Sequence, residues 1–294
     1  MKWRYVDTHA HVNLGPFRAD SDEVLARSRA RLVAHINVGT TIKTSARAVS
    51  IAQDEDWAWA IVGLHPTEAA SGRRDEEGVS DGGTPLVSKV ETFNEEAFRS
   101  LARSSPKVVG IGECGLDYYH CPPESYAAQE AALVAQIKLA NEISLPLMIH
   151  AREPKPGAQS PTGRSVYDDI HDMLKTHSQV PGNVHFFAGS EAQAKRFFAI
   201  GFSVSFTGVI TFAKVYEETV RVLPLERIHA ETDCPYVAPV PYRGTRSEPW
   251  HVVEVVKKIA AIKNLPEARV AEQLLHNAHQ LYPALAAAAA PSAG

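Results

Sequence analysis

The chain has 294 residues, a formal net charge of −4 and three cysteines. That length can bury one large core, so a single domain over residues 1–294 is expected, and the near-neutral charge excludes a global basic field for nucleic acid or membrane; a phosphate-bearing substrate would have to be held by metals and a few local cations. Cys114, Cys121 and Cys234 form no CxxC, the start Met1-Lys-Trp-Arg-Tyr lacks the apolar stretch of a signal peptide, and no run reaches membrane-spanning length, which together make the cytoplasm the expected location.

The first β-rich run, residues 3–7, leads into Asp7-Thr8-His9-Ala10-His11. Residues two apart on an extended segment point to one side, so His9 and His11 can approach one ion. A helix is expected over 21–31, then strands over 32–38 and 57–63, the second running into Gly63-Leu64-His65-Pro66. Residues 71–90, rich in Gly, Asp, Glu, Arg and Ser, read as a loop insertion. A strand over 108–113 ends in Glu113 and a helix follows over 124–142 with apolar Leu133, Ile137 and Ala140. The run 145–149 delivers His150-Ala151-Arg152, and residues 153–164, with three prolines and two glycines, read as a loop that could cover the site. His185 lies in the run 183–187, a helix is expected over 191–200, and strands over 202–205 and 227–231 precede Asp233. The Ala-rich residues 284–294 are expected to extend the last helix and fray.

Eight strands alternating with helical stretches describe a closed (β/α)8 barrel of the TIM type, an α/β fold whose reactive groups gather at the C-terminal strand ends. The imidazole and carboxylate motifs fall at such ends on strands one, four, five, six and eight. Four histidines and two carboxylates exceed what one zinc ion needs alongside an open position, so two adjacent ions are the economical reading. In that reading Glu113 bridges; His9, His11 and Asp233 complete one ion, and His150 and His185 the other. A hydroxide between the ions is the nucleophile and Asp233 takes its proton. Imidazole-rich ligation suits Zn²⁺, Mn²⁺, Co²⁺ or Ni²⁺, whereas Mg²⁺ prefers more oxygen ligands.

Val6-Asp-Thr-His-Ala-His-Val, Gly63-Leu-His-Pro, Gly112-Glu-Cys-Gly-Leu-Asp-Tyr-Tyr, Pro146-Leu-Met-Ile-His-Ala-Arg, Glu231-Thr-Asp-Cys-Pro-Tyr and Arg243-Gly-Thr-Arg-Ser-Glu-Pro resemble the ordered motifs of the TatD family, from about Val6 to Leu281. The resemblance implies a metal-dependent hydrolase of the amidohydrolase superfamily, a TIM barrel, frequent DNase activity, and ligand roles for His9, His11, Glu113, His150, His185 and Asp233. This chain departs from the family pattern at Phe186 and Ala188 in His185-Phe-Phe-Ala-Gly, at Ser247 where Asn is usual, and at Cys114 after Glu113.

Around these ligands, His65 reads either as a substrate or ligand-supporting group or as a loop histidine capping backbone. Arg152 reads as a phosphate clamp or a surface ion pair, and Arg243 and Arg246 as substrate grips or ion-pair partners beside Glu248. Tyr118 and Tyr119, after Asp117, could stack on a base or pack. His35, His120, His171, His177, His229, His251, His276 and His279 read as structural, as does Cys234. The expected function is a dinuclear metal-dependent phosphodiesterase, a deoxyribonuclease acting on single-stranded or frayed DNA ends. The alternatives are a small-molecule amidohydrolase, esterase or lactonase using the same residues, and a non-catalytic metal-bound binding scaffold.

Overall fold

A computed structural model of the chain describes residues 3–70 and 90–289. The expected insertion at 71–90 therefore lies, except for Val90, outside the described residues. Eight parallel strands form one sheet in sequence order: β1 Tyr5–Ala10, β2 Val33–Val38, β3 Ala58–Val62, β4 Val108–Asp117, β5 Leu147–Arg152, β6 Gly182–Val184, β7 Phe202–Phe206 and β8 Ile228–Ala230. The helices are α1 Ser21–Ala30, α2 Ile42–Asp54, α3 Pro66–Ala70, α4 Glu95–Arg103, α5 Tyr126–Ile143, α6 Val166–His177, α7 Glu191–Ala199, α8 Glu217–Val222, α9 Val252–Lys263, α10 Glu267–Leu281 and α11 Pro283–Ala289. Strands buried on both faces and packed under helices are what near-continuous Val, Ile and Ala runs such as Ala58-Trp-Ala-Ile-Val require. Helix starts are set locally: the Thr41 and Ser190 side chains form capping boxes on α2 and α7. No helix among the described residues is long and apolar enough to cross a membrane.

The ring closes between β8 and β1 through the backbone just past β8. Asp233 N–H donates to the His9 carbonyl at 2.9 Å, His11 N–H donates to the Cys234 carbonyl at 3.0 Å, and Ala10 bridges Cys234. The Thr8 hydroxyl adds a bond to the Ala230 carbonyl at 3.2 Å. At the opposite pole, Trp3 packs edge-on against Trp57 and Trp59 with ring centroids 5.8 and 5.4 Å apart.

Two expectations change. The strands carrying His9, Glu113 and His150 run past these residues, so the three sit within strands rather than at their ends. On β4 the cause is glycine: Gly112 and Gly115 have φ of +146° and +153°, and a Cβ on them would lie 2.4 Å from the Met148 carbonyl oxygen and 1.9 Å from that of His150. Only glycine allows this approach, and it lets the strand continue through a bulge between Ile111 and Cys114 that aims Glu113 inward. Residues 284–289 do not extend α10, and the rest of the expected tail, 290–294, lies outside the described residues. Pro283 ends α10, because proline drives the preceding Tyr282 to φ −123°, ψ 79°, and α11 starts anew. Loop 153–164 is fastened to α6, with Arg164 paired to Asp169 and Asp172 at 3.2 and 2.7 Å and the Thr162 hydroxyl bonded to Asp169.

Candidate metal centre

The side chains singled out from sequence converge on Glu113, whose two oxygens face different partners. Oε2 lies 3.3 Å from His9 Nε2 and 3.7 Å from His11 Nε2. Asp233 Oδ1 completes that group at 3.7 Å from His9 Nε2 and 3.4 Å from His11 Nε2, while the two imidazole nitrogens are 3.0 Å apart. Oε1 lies 2.8 Å from His150 Nδ1, 2.6 Å from His185 Nε2 and 3.3 Å from His65 Nε2.

Hydrogen bonds to the far ring nitrogens decide which of these atoms offer lone pairs. A carbonyl can only accept, so His11 Nδ1–H donates to the Val38 oxygen at 2.8 Å and Nε2 is left bare. Asp117, an acceptor for Tyr119 N–H, His120 N–H and the His120 ring, takes His150 Nε2–H at 3.1 Å, so Nδ1, 2.8 Å from Glu113, is the nitrogen left bare once the ring is neutral. His185 Nδ1 lies 3.6 Å from Glu231, a carboxylate anchored by Phe186 N–H at 2.7 Å and the Ser205 hydroxyl at 2.6 Å. Imidazoles backed by a carboxylate or carbonyl and converging on a shared carboxylate are the donor set a divalent cation takes, so the residues fit a metal. No hydrogen bond fixes the tautomer of His9 or of His185, because Nδ1 of each is buried without one; His185 has the Glu231 charge 3.6 Å away, and His9 Nδ1 has no such neighbour among the described residues.

His65 differs. Its Nδ1 accepts Thr67 N–H at 3.2 Å, so in the neutral ring Nε2, 3.3 Å from Glu113 Oε1, carries the hydrogen. It caps backbone at the start of α3 and stands beside Glu113 at the same time.

The electrostatics follow from this packing. Burial alone would raise Glu113, but His185, His65, His9 and His150 hold it well below the usual carboxylate range. Burial would lower His150, yet Asp117 and Glu113 outweigh it and push the imidazole up to about 9. His185 is driven well above its ordinary value against burial by Glu113 and Glu231, and His11 is raised by Asp233 and Glu113. Burial and neighbouring His185 lower His9. Protons on His150 and His185 are therefore what an arriving cation would displace. Asp233 is held below its ordinary value by His11 and His9 despite burial, and its φ of 55° is a left-handed conformation that Asp tolerates better than most side chains.

The outer candidates separate. Arg152 is exposed, stands over the Tyr119 ring at 5.2 Å and has no carboxylate partner among the described residues. Arg243 lies over the Phe212 ring at 3.9 Å. Arg246 is engaged by Asp20 at 2.8 and 2.6 Å, the Pro16 carbonyl at 2.7 Å and Glu248 at 3.3 Å, so of its two readings the geometry favours the ion pair beside Glu248 over the substrate grip. Tyr118 packs, its hydroxyl on Asp169 and its ring against Tyr126. Among the histidines set aside, His120 turns out to brace Asp117, whereas His35 and His229 are interior groups lowered to about 4 by burial. Glu231 went unassigned, although it precedes Asp233 by two residues on an extended segment, the spacing that singled out His9 and His11.

Comparison with known proteins places this geometry. A family model described as TatD related DNase matches residues 6–283. The chain is 32% identical over 281 residues, 94% of its length and 98% of the relative's, to the uncharacterized metal-dependent hydrolase YabD of Bacillus subtilis. It is 30% identical over 268 residues, 87% of this chain and 89% of the other, to the 3'-5' ssDNA/RNA exonuclease TatD of Klebsiella pneumoniae. The crystal structure of YjjV, a TatD homologue of Escherichia coli, superposes with a TM-score of 0.78 at 28% identity, covering 96% of this chain and 99% of that one. A model match across nearly the whole chain, relatives of equal length and a shared barrel agree: the chain belongs to the TatD family of metal-dependent hydrolases.

Proposed function

We propose that the protein is a two-cation phosphodiesterase that removes nucleotides from the ends of single-stranded or frayed DNA. The observation that carries the two-cation reading is the division of Glu113, with Oε2 toward His9, His11 and Asp233 and Oε1 toward His150 and His185. Divalent cations bound by these groups would lower the pKa of water and neutralise charge on a phosphoryl oxygen. Asp233 is the base: its side chain is 13% exposed against 4% for Glu113, and neighbouring imidazoles keep it anionic, so it can take a proton at the solvent side. His65, with Nε2 3.3 Å from Glu113 Oε1, supports the carboxylate from beside it. Arg152, without a carboxylate partner among the described residues, offers its planar fork of donors to a phosphate. The nucleic-acid part of the reading draws support from the relative described as an ssDNA/RNA exonuclease.

Metal analysis followed by a substrate screen tests this. End-labelled single-stranded and duplex DNA, an RNA, and panels of phosphate esters, amides and lactones are offered to the metal-loaded enzyme. Two cations per chain and shortening of single-stranded ends are expected. Turnover confined to an amide or lactone would replace the nuclease by a small-molecule hydrolase, and no metal-dependent turnover at all would favour a binding scaffold.

A further inference from the structure

The barrel mouth has two unlike sides. On the β4–β5 side, Arg152 and Lys155 both lie over the Tyr119 ring, at 5.2 and 5.4 Å. On the β7–β8 side the surface turns apolar. Of the seven large apolar side chains exposed among the described residues, four, Phe212, Val215, Tyr236 and Val240, stand on the loops after β7 and β8, with Phe212 42% and Tyr236 39% exposed. An apolar cluster of this kind is costly to leave in water and marks a contact surface.

The two loops are braced against each other. Val240 N–H donates to the Thr211 hydroxyl at 2.9 Å, and Arg243 covers Phe212 at 3.9 Å while donating to the Ala238 carbonyl at 2.9 Å. The β7 loop approaches so closely that a Cβ on Gly208 would meet the Val237 oxygen at 2.5 Å. Tyr236 N–H donates to the Asp233 carbonyl at 3.0 Å, which ties the ring to the same turn as the proposed base. The rings are thus presented by a fixed rim, which lowers the ordering cost of anything that stacks on them.

In a ring of eight strands in sequence order β4 and β8 stand opposite each other, so the Glu113 cluster lies between the cationic and the aromatic side. A nucleotide has the same division, an anionic phosphate and a flat apolar base. We propose that Phe212 and Tyr236, with Arg243 bracing Phe212, form a stacking platform for unpaired bases of the substrate strand; the proposal rests on the phosphodiesterase reading above. Stacking needs a free base face, so the platform selects single-stranded over paired ends with little regard to sequence.

The test compares an oligothymidylate with an abasic strand of equal length. Binding is read by fluorescence anisotropy on phosphorothioate-linked strands and turnover on ordinary ones, with metal-loaded enzyme. The wild-type protein should bind the base-bearing strand about 5- to 150-fold more tightly, the range that stacking supplies per base. The double variant F212A/Y236A should lose that preference while binding and cleaving the abasic strand as the wild type does, and F212W/Y236W should keep it. Equal wild-type affinity for the two strands overturns the platform even if DNA is cleaved, as does a double variant equally impaired on both strands. A base preference that the double variant loses, found together with no cleavage of any phosphodiester, upholds the platform and overturns the nuclease reading.

Discussion

The two halves of the Glu113 cluster are held by different means. On the Oε2 side, His9, His11 and Asp233 hang from the seam that closes the barrel, where His9 and Asp233, and His11 and Cys234, are joined by backbone hydrogen bonds of 2.9 and 3.0 Å. On the Oε1 side, His150 and His185 come from β5 and the end of β6 and are aimed by other side chains, Asp117 at 3.1 Å and Glu231 at 3.6 Å. Backbone bonds survive most side-chain substitutions, whereas an aiming carboxylate is lost in one. The seam half is therefore the fixed reference of the centre, and the other half is where its properties can be tuned.

The largest effect is expected from the residue both halves share. Glu113→Gln keeps the size of the side chain but removes the charge that would serve each cation of the proposed pair, so metal analysis should find both sites weakened and turnover abolished. Loss of one cation alone would reduce Glu113 to a ligand of a single half. An unchanged metal count would remove it from the ligands.

Asp233→Asn probes the seam half alone. Asparagine is at home in the left-handed region, so the φ of 55° and the seam bond to His9 should persist, and the amide oxygen can still coordinate. Metal should stay bound while kcat falls on the order of 10²–10⁴-fold, the usual loss when a general base is removed. A variant with near-wild-type kcat at matched metal occupancy would show that the proton leaves by another route, with His65 the next residue to test.

Asp117→Asn addresses the tunable half. The amide can still accept from His150 Nε2–H but no longer supplies charge, and removing such a partner typically costs about 10- to 100-fold in metal affinity. The cation on the Oε1 side should weaken and the one on the seam side should not, which a two-step metal titration resolves. Equal weakening of both steps would mean that the halves are not independent.

These contrasts also show what the sequence could and could not reveal. The barrel was readable from eight apolar runs spaced by helical stretches, and the groups that meet at Glu113 from imidazoles and carboxylates that follow those runs. Strand ends were misplaced because β4 continues through Gly112 and Gly115, whose conformations depend on how closely β5 approaches. The role of His65 turns on which ring nitrogen carries its hydrogen, and Thr67 N–H sets that only once α3 has formed. The Asp20 partner of Arg246 could not be seen in the sequence because the two are far apart in the chain and meet only where the barrel closes between β8 and β1. Asp117 and Glu231 were visible as acidic residues, but aiming an imidazole is a relation between two strands that neither strand displays by itself.

The smallest effect concerns pH and separates the halves without touching the reaction. In the metal-free protein His150 is raised to about 9, with Asp117 and Glu113 overcoming burial, while His185 and His11 are raised in the same direction. A group raised on folding contributes stability that is complete below its unfolded value, near 6.5 for an imidazole, and is lost as pH rises through the folded value. Between about pH 6.5 and pH 9 the chelated protein should therefore lose thermal stability. Metal-loaded protein should behave oppositely over the same window, because cation binding needs the deprotonated imidazoles and strengthens as protons leave. The gap in Tm between the two forms should widen with pH by on the order of a few degrees. Asp117→Asn removes one of the two carboxylates that raise His150, so it should flatten the decline of the chelated protein, whereas Asp233→Asn leaves the His150 contribution in place. A metal-free melting curve that does not fall over this window, or one that Asp117→Asn leaves unchanged, would show that the Asp117–His150–Glu113 chain is not what sets the charge of the tunable half.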